Sequence, residues 1–154
     1  MELNKDYSKN KLNNVSGAVA RTDHKRRDNH AKKYYAFISN SKGNNDVRKI
    51  AVNTGFSEKD ILKVKQHIFI NEYNLGPKGL SKFTPDFDMA QSWQRLIEGI
   101  NIKEMDIVLI KHELMELQYM ESGMSYDEAH TLTSKKYSYQ DYVDKLDEEG
   151  GVGI

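Results

Sequence analysis

Apolar side chains recur at intervals of three and four residues along most of this chain, which is the spacing of one face of an α-helix. Glycine, serine and aspartate separate these stretches where helices commonly begin and end. The pattern predicts a compact all-α domain of several helices, near 28–40, 45–54, 57–70, 86–98, 103–122, 125–136 and 139–147.

Two of these helices begin with the sequence of a capping box, in which a serine and an acidic residue three positions later satisfy each other's backbone N–H groups. Ser57 stands three residues before Asp60, and Ser125 stands three residues before Glu128. Both prolines of the chain fall within 71–85, NEYNLGPKGLSKFTP. This segment is therefore predicted to be a loop that folds over a neighbouring element.

The segment 45–70 resembles a helix-turn-helix hairpin. Ala51, Gly55 and Ile61 stand where a small residue, a left-handed turn and an aliphatic contact are needed to pack two helices together. However, the second helix begins with SEKD at 57–60, so two carboxylates would meet the phosphate backbone of DNA. We expect a structural hairpin, and a noncatalytic nucleic-acid-binding unit is the alternative.

Composition narrows the classes of protein. The 154 residues carry no cysteine and no net charge, with 38% hydrophobic and 30% charged residues. No stretch is apolar enough for a membrane helix or an export signal, so no membrane segment is expected. Any metal must be held by histidine and carboxylate side chains, because thiolate ligands are absent.

The zero net charge conceals opposite ends. Residues 1–33 carry nine Lys and Arg against four acidic residues, whereas 141–154 carry five acidic residues against Lys145 alone. We expect a loosely ordered basic leader at 1–27, a single helical domain at 28–147, and a flexible acidic and glycine-rich tail at 148–154.

The segment 103–122 is predicted to be a buried central helix that carries charges inward. On a helical wheel, His112, Glu113 and Glu116 fall among apolar residues, as does Asp106. Buried charges are costly unless they are paired, hydrogen-bonded or bound to a metal, so such residues are candidates for a functional site.

His112 and Glu116 are four residues apart and therefore share one face of the helix. The sequence HELME at 112–116 differs from the zinc peptidase motif HExxH, because glutamate replaces the second histidine. A metal on His112, Glu116 and His130 is one interpretation. The other is a satisfied structural pair of His112 and Glu116.

His130 follows the turn at Gly123, and antiparallel packing of the two helices would place it nearer Glu116 than His112. His67 ends its helix and is a further candidate. A basic and aromatic group formed by Arg27, His30 and Tyr34 could contact phosphates and bases. Arg95 could contact an anion.

Six segments of the sequence, taken in order, fall within about 21–142. They are YYAFISN, IAVNTGF, HIFINEYNL, FTPDFDMAQSWQRLIEG, DIVLIKHELMEL and SYDEAHTLTSKKYSY. Together they resemble a C-terminal domain of phage minor head (head-morphogenesis) proteins and bacterial polymorphic toxins. The resemblance implies a toxin-like effector, delivered within a larger protein by a phage or secretion system, acting in the cytoplasm and neutralised by a cognate immunity protein. The site positions it implies are His67, Asp86, His112, Glu113, Glu116 and His130.

The sequence-level hypothesis is a hydrolase of nuclease type acting on RNA or DNA. His112 and His130 would exchange protons with the reacting groups, Glu116 would orient them, and no cofactor would be required. One alternative is a metallopeptidase-like hydrolase that holds Zn²⁺ or another divalent metal on the HELME segment. Another is a noncatalytic nucleic-acid-binding or phage head-assembly module.

Overall fold

The computed structural model of the protein describes residues 19–153, with side chains for 19–149. Seven α-helices and one short hairpin make up its regular structure within these residues, which confirms the all-α prediction. The helices are α1 (His24–Asn40), α2 (Asn45–Thr54), α3 (Glu58–Lys65), α4 (Phe87–Glu98), α5 (Glu104–Glu121), α6 (Tyr126–Lys136) and α7 (Tyr139–Gly153). A π-helix (Gln66–Ile70) continues α3, and β1 (Tyr73–Asn74) pairs with β2 (Leu80–Ser81) in antiparallel fashion around a 3₁₀ turn (Gly76–Lys78).

Helix α5 is the central helix, as predicted, because it packs against α3, α4, α6 and α7. Lys111 and Gln118 form part of its exposed strip, while Leu109 and Ile110 are buried in the core. Helix α4 provides the other half of that core through the fully buried indole of Trp93. Burial of one apolar face per helix supplies most of the stability of such a domain.

The predicted hairpin at 45–70 is formed by α2 and α3. Gly55 ends α2 with φ +86°, a left-handed conformation that costs glycine little. Ile61 and Val64 of α3 pack into the common core. The hydroxyl oxygen of Ser57 accepts a hydrogen bond from the backbone N–H of Asp60 at 3.1 Å, which confirms this predicted helix start.

Helix α1 begins at His24, four residues before the predicted start, because Asp23 caps it by accepting from the N–H of Arg26. Arg21 extends the ordered part further, since its guanidinium pairs with Asp88 at 2.8 Å. Residues 1–18 of the predicted leader lie outside the described residues. At the other end, α7 continues to Gly153 through most of the predicted tail.

The predicted loop at 71–85 contains the β1–β2 hairpin, which lies over the end of the π-helix. The ring of Tyr73 in β1 packs edge-on to His67, and Phe83 packs edge-on to the same imidazole. The hairpin thus covers the side of the domain where α5 exposes its inward-facing histidine and carboxylates to a cavity. No helix in the described part of the chain is long and apolar enough to cross a membrane.

Candidate active site around Glu116

A cavity of about 480 Å³ opens between α5, α6 and the hairpin. His112, Glu113 and Glu116 of α5 line its floor, and His130 of α6 lines its wall. Four carboxylates border it, those of Asp86, Glu113, Glu116 and Asp127, against the single ammonium group of Lys78 among the described lining residues. The cavity is therefore lined by ionisable side chains from α5, from α6 and from the segment that contains the hairpin.

Glu116 lies at the centre of three imidazoles that come from three different elements. Its Oε1 lies 2.8 Å from Nε2 of His67, and its Oε2 lies 3.1 Å from Nε2 of His112 and 2.7 Å from Nδ1 of His130. Burial would raise the pKa of this carboxyl, but hydrogen bonds to His112, His130 and His67 hold it well below its usual range. Glu116 is thus a buried carboxylate held in its charged form.

The protonation of His112 is restricted by its backbone partner. Nδ1 of His112 lies 2.7 Å from the carbonyl oxygen of Tyr137, which can only accept, so Nδ1 carries the proton and donates it. In neutral imidazole, Nε2 then presents a lone pair towards Oε2 of Glu116. Two lone pairs at this distance repel, so either a second proton or a cation must lie between them.

Glu113 faces the same two histidines as Glu116, at longer range. Its Oε1 lies 3.9 Å from Nε2 of His67, and its Oε2 lies 3.7 Å from Nε2 of His112. Burial raises the pKa of Glu113, and the neighbouring carboxylates of Glu116 and Asp86 raise it further. A second buried carboxyl beside Glu116 is costly to ionise unless positive charge lies between them.

His67 is fully buried, and the π-helix positions it. Its widened turn is closed by a 2.7 Å hydrogen bond from the N–H of Asn71 to the carbonyl of Gln66. Single π-turns of this kind are frequent at functional sites. Nδ1 of His67 lies 2.7 Å from the hydroxyl of Tyr73, and this partner can either donate or accept. His67 can therefore direct a proton or a lone pair at Glu116.

His130 forms the accessible side of the cluster, because 47% of its side chain is exposed. The hydrogen bond to Glu116 raises the pKa of His130 above its usual range, against the opposing effect of partial burial. The ring of Tyr126 stacks on His130 at 5.3 Å and orients it. A substrate entering the cavity would therefore meet His130 before the buried members of the cluster.

The structure brings together five predicted residues: His67, His112, Glu113, Glu116 and His130. Asp86 also lines the cavity, where it caps α4, and burial raises its pKa. Two three-residue sets have ligand atoms within 4.8 Å of one another, as a metal site requires. One is His112, Glu116 and His130, and the other is His67, Glu113 and Glu116.

Four predicted substrate contacts lie elsewhere, because each side chain is engaged in the core or in an ion pair. Arg27 pairs with Asp88 at 3.1 Å and lies over the ring of Phe87. Arg95 forms a two-pronged pair with Asp106, so the inward charge of Asp106 belongs to this pair and not to the site. The other two are His30, which is buried beside Phe87, and Tyr34, which donates to Gln94.

The sequence pattern did not identify the aromatic wall of the site. Tyr73, Phe83 and Tyr126 form a continuous series of ring contacts that connects His67 to His130. The available signal was two aromatic residues within the loop 71–85, Tyr73 and Phe83, and a third, Tyr126, at the start of α6. The carbonyl of Tyr137, which determines the proton position on His112, has no sequence signal.

No protein-family model, curated protein or solved structure matches this chain.

Proposed function

We propose that this chain is a toxin-like effector domain that hydrolyses phosphodiester bonds of RNA or DNA with a divalent cation bound at the Glu116 cluster. The observation that carries the proposal is the orientation of His112. Its Nδ1–H donates to the carbonyl of Tyr137, and its Nε2 is directed at a buried carboxylate. A backbone carbonyl that fixes the outer nitrogen in this way is a usual feature of metal-binding histidines.

The residue types suit a first-row cation of the zinc class, which histidine nitrogens and carboxylate oxygens bind. Bonds of about 2.0–2.2 Å in a tetrahedral site place ligand atoms about 3.4 Å apart. In the set formed by His112, Glu116 and His130, the two nitrogen–oxygen distances of 3.1 Å and 2.7 Å are shorter than this, so the ligand atoms would move apart to admit the cation. Three protein ligands leave one position for water, which is the arrangement of catalytic rather than structural sites.

Hydrolysis at this site would add one water across a phosphorus–oxygen bond. The water oxygen bonds to phosphorus, the bond from phosphorus to the leaving oxygen breaks, and the proton lost by the water ends on the leaving oxygen. A cation held by His112, Glu116 and His130 would lower the pKa of bound water and stabilise the developing charge. Asp86 lines the cavity outside both ligand sets, and its carboxyl is the group that we assign to carry the proton.

The test is cleavage by purified protein, freed of metal with chelator and restored with Zn²⁺ or Mn²⁺. We expect cleavage of RNA or DNA by restored wild type and a loss of at least about 100-fold in His130→Ala, because even outer partners of metal ligands are worth about 10–100-fold. His130 is exposed, so this variant should fold. His24→Ala, which removes another exposed histidine, is the matched control and should retain full activity.

Two results would overturn the proposal. One is the absence of cleavage of RNA, single-stranded DNA and duplex DNA under every metal condition. The other is cleavage that neither chelation nor His130→Ala reduces. Controlled expression in a bacterium adds the cellular readout: wild type should stop growth and degrade nucleic acid, and a cognate immunity protein should relieve it.

A metallopeptidase-like reaction is the second candidate, favoured by one observation. Glu113 follows His112 directly, as the general base follows the first histidine in HExxH, and it faces Nε2 of His112 at 3.7 Å. Cleavage of unfolded protein or peptides by the restored enzyme, with nucleic acids left intact, would support this candidate instead.

A further inference from the structure

Glu116 uses its two carboxylate oxygens for different histidines. Oε1 is directed at His67, and Oε2 is directed at His112 and His130. A carboxylate with both oxygens engaged on opposite sides is the usual bridge between two metal ions about 3.5–4 Å apart. One tetrahedral cation would instead draw its ligands towards a single carboxylate oxygen.

Glu113 repeats the same division. Its Oε1 faces His67 and its Oε2 faces His112. The carboxylates of Glu113 and Glu116, one helical turn apart on α5, therefore both lie between the imidazoles of His67 and His112. This repetition gives each of the two ligand sets at least one histidine nitrogen and one carboxylate oxygen.

The support of His67 fits a ligand and not only a packing residue. The hydroxyl of Tyr73 accepts from Nδ2 of Asn71 at 3.1 Å and can also accept from Nδ1–H of His67. In that arrangement Nε2 of His67 presents its lone pair to the carboxylates. His67 therefore has an outer partner comparable to the one that the carbonyl of Tyr137 provides for His112.

The composition of the cavity also favours cations. Four carboxyl groups border it, against one ammonium group among the described lining residues. Carboxyl groups are ligands that divalent cations use, and a pair of cations held among them would attract an anionic phosphodiester.

We propose that Glu116 bridges two divalent cations, one held by His112 and His130 and the other by His67 and Glu113, and that this pair binds the scissile phosphodiester. The inference rests on the proposed function, because it concerns the same site and the same anionic substrate. Such a pair would stabilise both the attacking and the leaving oxygen of an in-line displacement.

The experiment counts cations in metal-free protein titrated with Zn²⁺, by calorimetry and by elemental analysis after desalting. Wild type and His24→Ala should bind two equivalents. His67→Ala should bind one. Because His67 is fully buried, Glu113→Gln is the second variant: it preserves side-chain size, removes a charged ligand of the same cation, and should also bind one equivalent.

Titration with Mn²⁺ supplies a readout that does not depend on activity. Two bridged Mn²⁺ ions are magnetically coupled. Wild type should therefore give the electron paramagnetic resonance spectrum of a coupled pair, and Glu113→Gln should give the spectrum of an isolated ion. A single equivalent in wild type, with uncoupled Mn²⁺, would overturn the two-cation centre and leave the proposed function intact. Two coupled cations without nucleic-acid cleavage would support the centre and overturn the proposed substrate.

Discussion

Replacing Arg95 with methionine removes the cationic partner of a carboxylate with no exposed surface. Asp106 is 0% exposed and accepts from Nε and Nη2 of Arg95 at 2.8 Å and 2.7 Å, and from the N–H of Lys103 at 2.8 Å. Methionine keeps part of the aliphatic stem but leaves the charge of Asp106 buried and unpaired.

Breaking a buried pair from one side costs about 3–5 kcal/mol of the free energy of unfolding. The side chain of Arg95 is 19% exposed, so water reaches one end of the pair, and we expect a loss of about 3 kcal/mol. For a domain of this size, that loss lowers Tm by roughly 6–12 °C. Arg95→Met combined with Asp106→Leu should recover most of the loss, because no unpaired charge remains.

Urea unfolding, followed by circular dichroism, gives the free energy of unfolding of wild type, Arg95→Met, Asp106→Leu and the double variant. The proposed nuclease activity, measured below the unfolding range, should be unchanged in Arg95→Met, because Arg95 does not line the cavity. The reasoning would be refuted by a loss below about 1 kcal/mol in Arg95→Met, since a buried unpaired charge costs more than that. The reasoning would also be refuted if the double variant lost as much stability as Arg95→Met and Asp106→Leu lose together.

Two further predictions concern cations and glycines. Zn²⁺ at about 100 times its Kd should stabilise metal-free protein by about 2.7 kcal/mol per site. This gain should raise Tm by roughly 5–11 °C in a thermal scan. The same rise in Glu116→Gln would contradict the assigned site. Gly55→Ala should cost about 1 kcal/mol, from its left-handed backbone alone. Gly99→Ala should cost distinctly more in urea unfolding, because its new Cβ would lie 2.8 Å from Asn53; equal losses at the two glycines would count against this packing.

Local sequence signals predicted the helices well, because caps and stops act within a few residues. The capping box of Ser125 and Glu128 is present, and Gly99 ends α4 in a left-handed conformation with φ +74°. The predicted start of α1 is four residues too late, because the helix begins after the cap of Asp23, in a segment without apolar periodicity. Arg21 is held by Asp88, 67 residues away, and this pairing orders the chain before the helix.

The same distinction of range applies to the site. The contact of His112 with Glu116 follows from their spacing of four residues, and the contact of His130 with Glu116 follows from a short turn. His67 lies 49 residues from Glu116, so its place in the cluster depends on packing that no local pattern reveals. Conversely, Asp106 has the inward position of a site residue but pairs with Arg95, because helical periodicity defines a face and not a partner.

Anomalous scattering from crystals grown with Zn²⁺ tests the central claim most directly. We expect a peak within about 2.0–2.2 Å of both Nε2 of His112 and a carboxylate oxygen of Glu116, with a second peak on the His67 side of the same carboxylate. A map without a peak at the cluster, in which Nε2 of His112 bonds Glu116 directly through a proton, would contradict the claim that this cavity is a cation-dependent site.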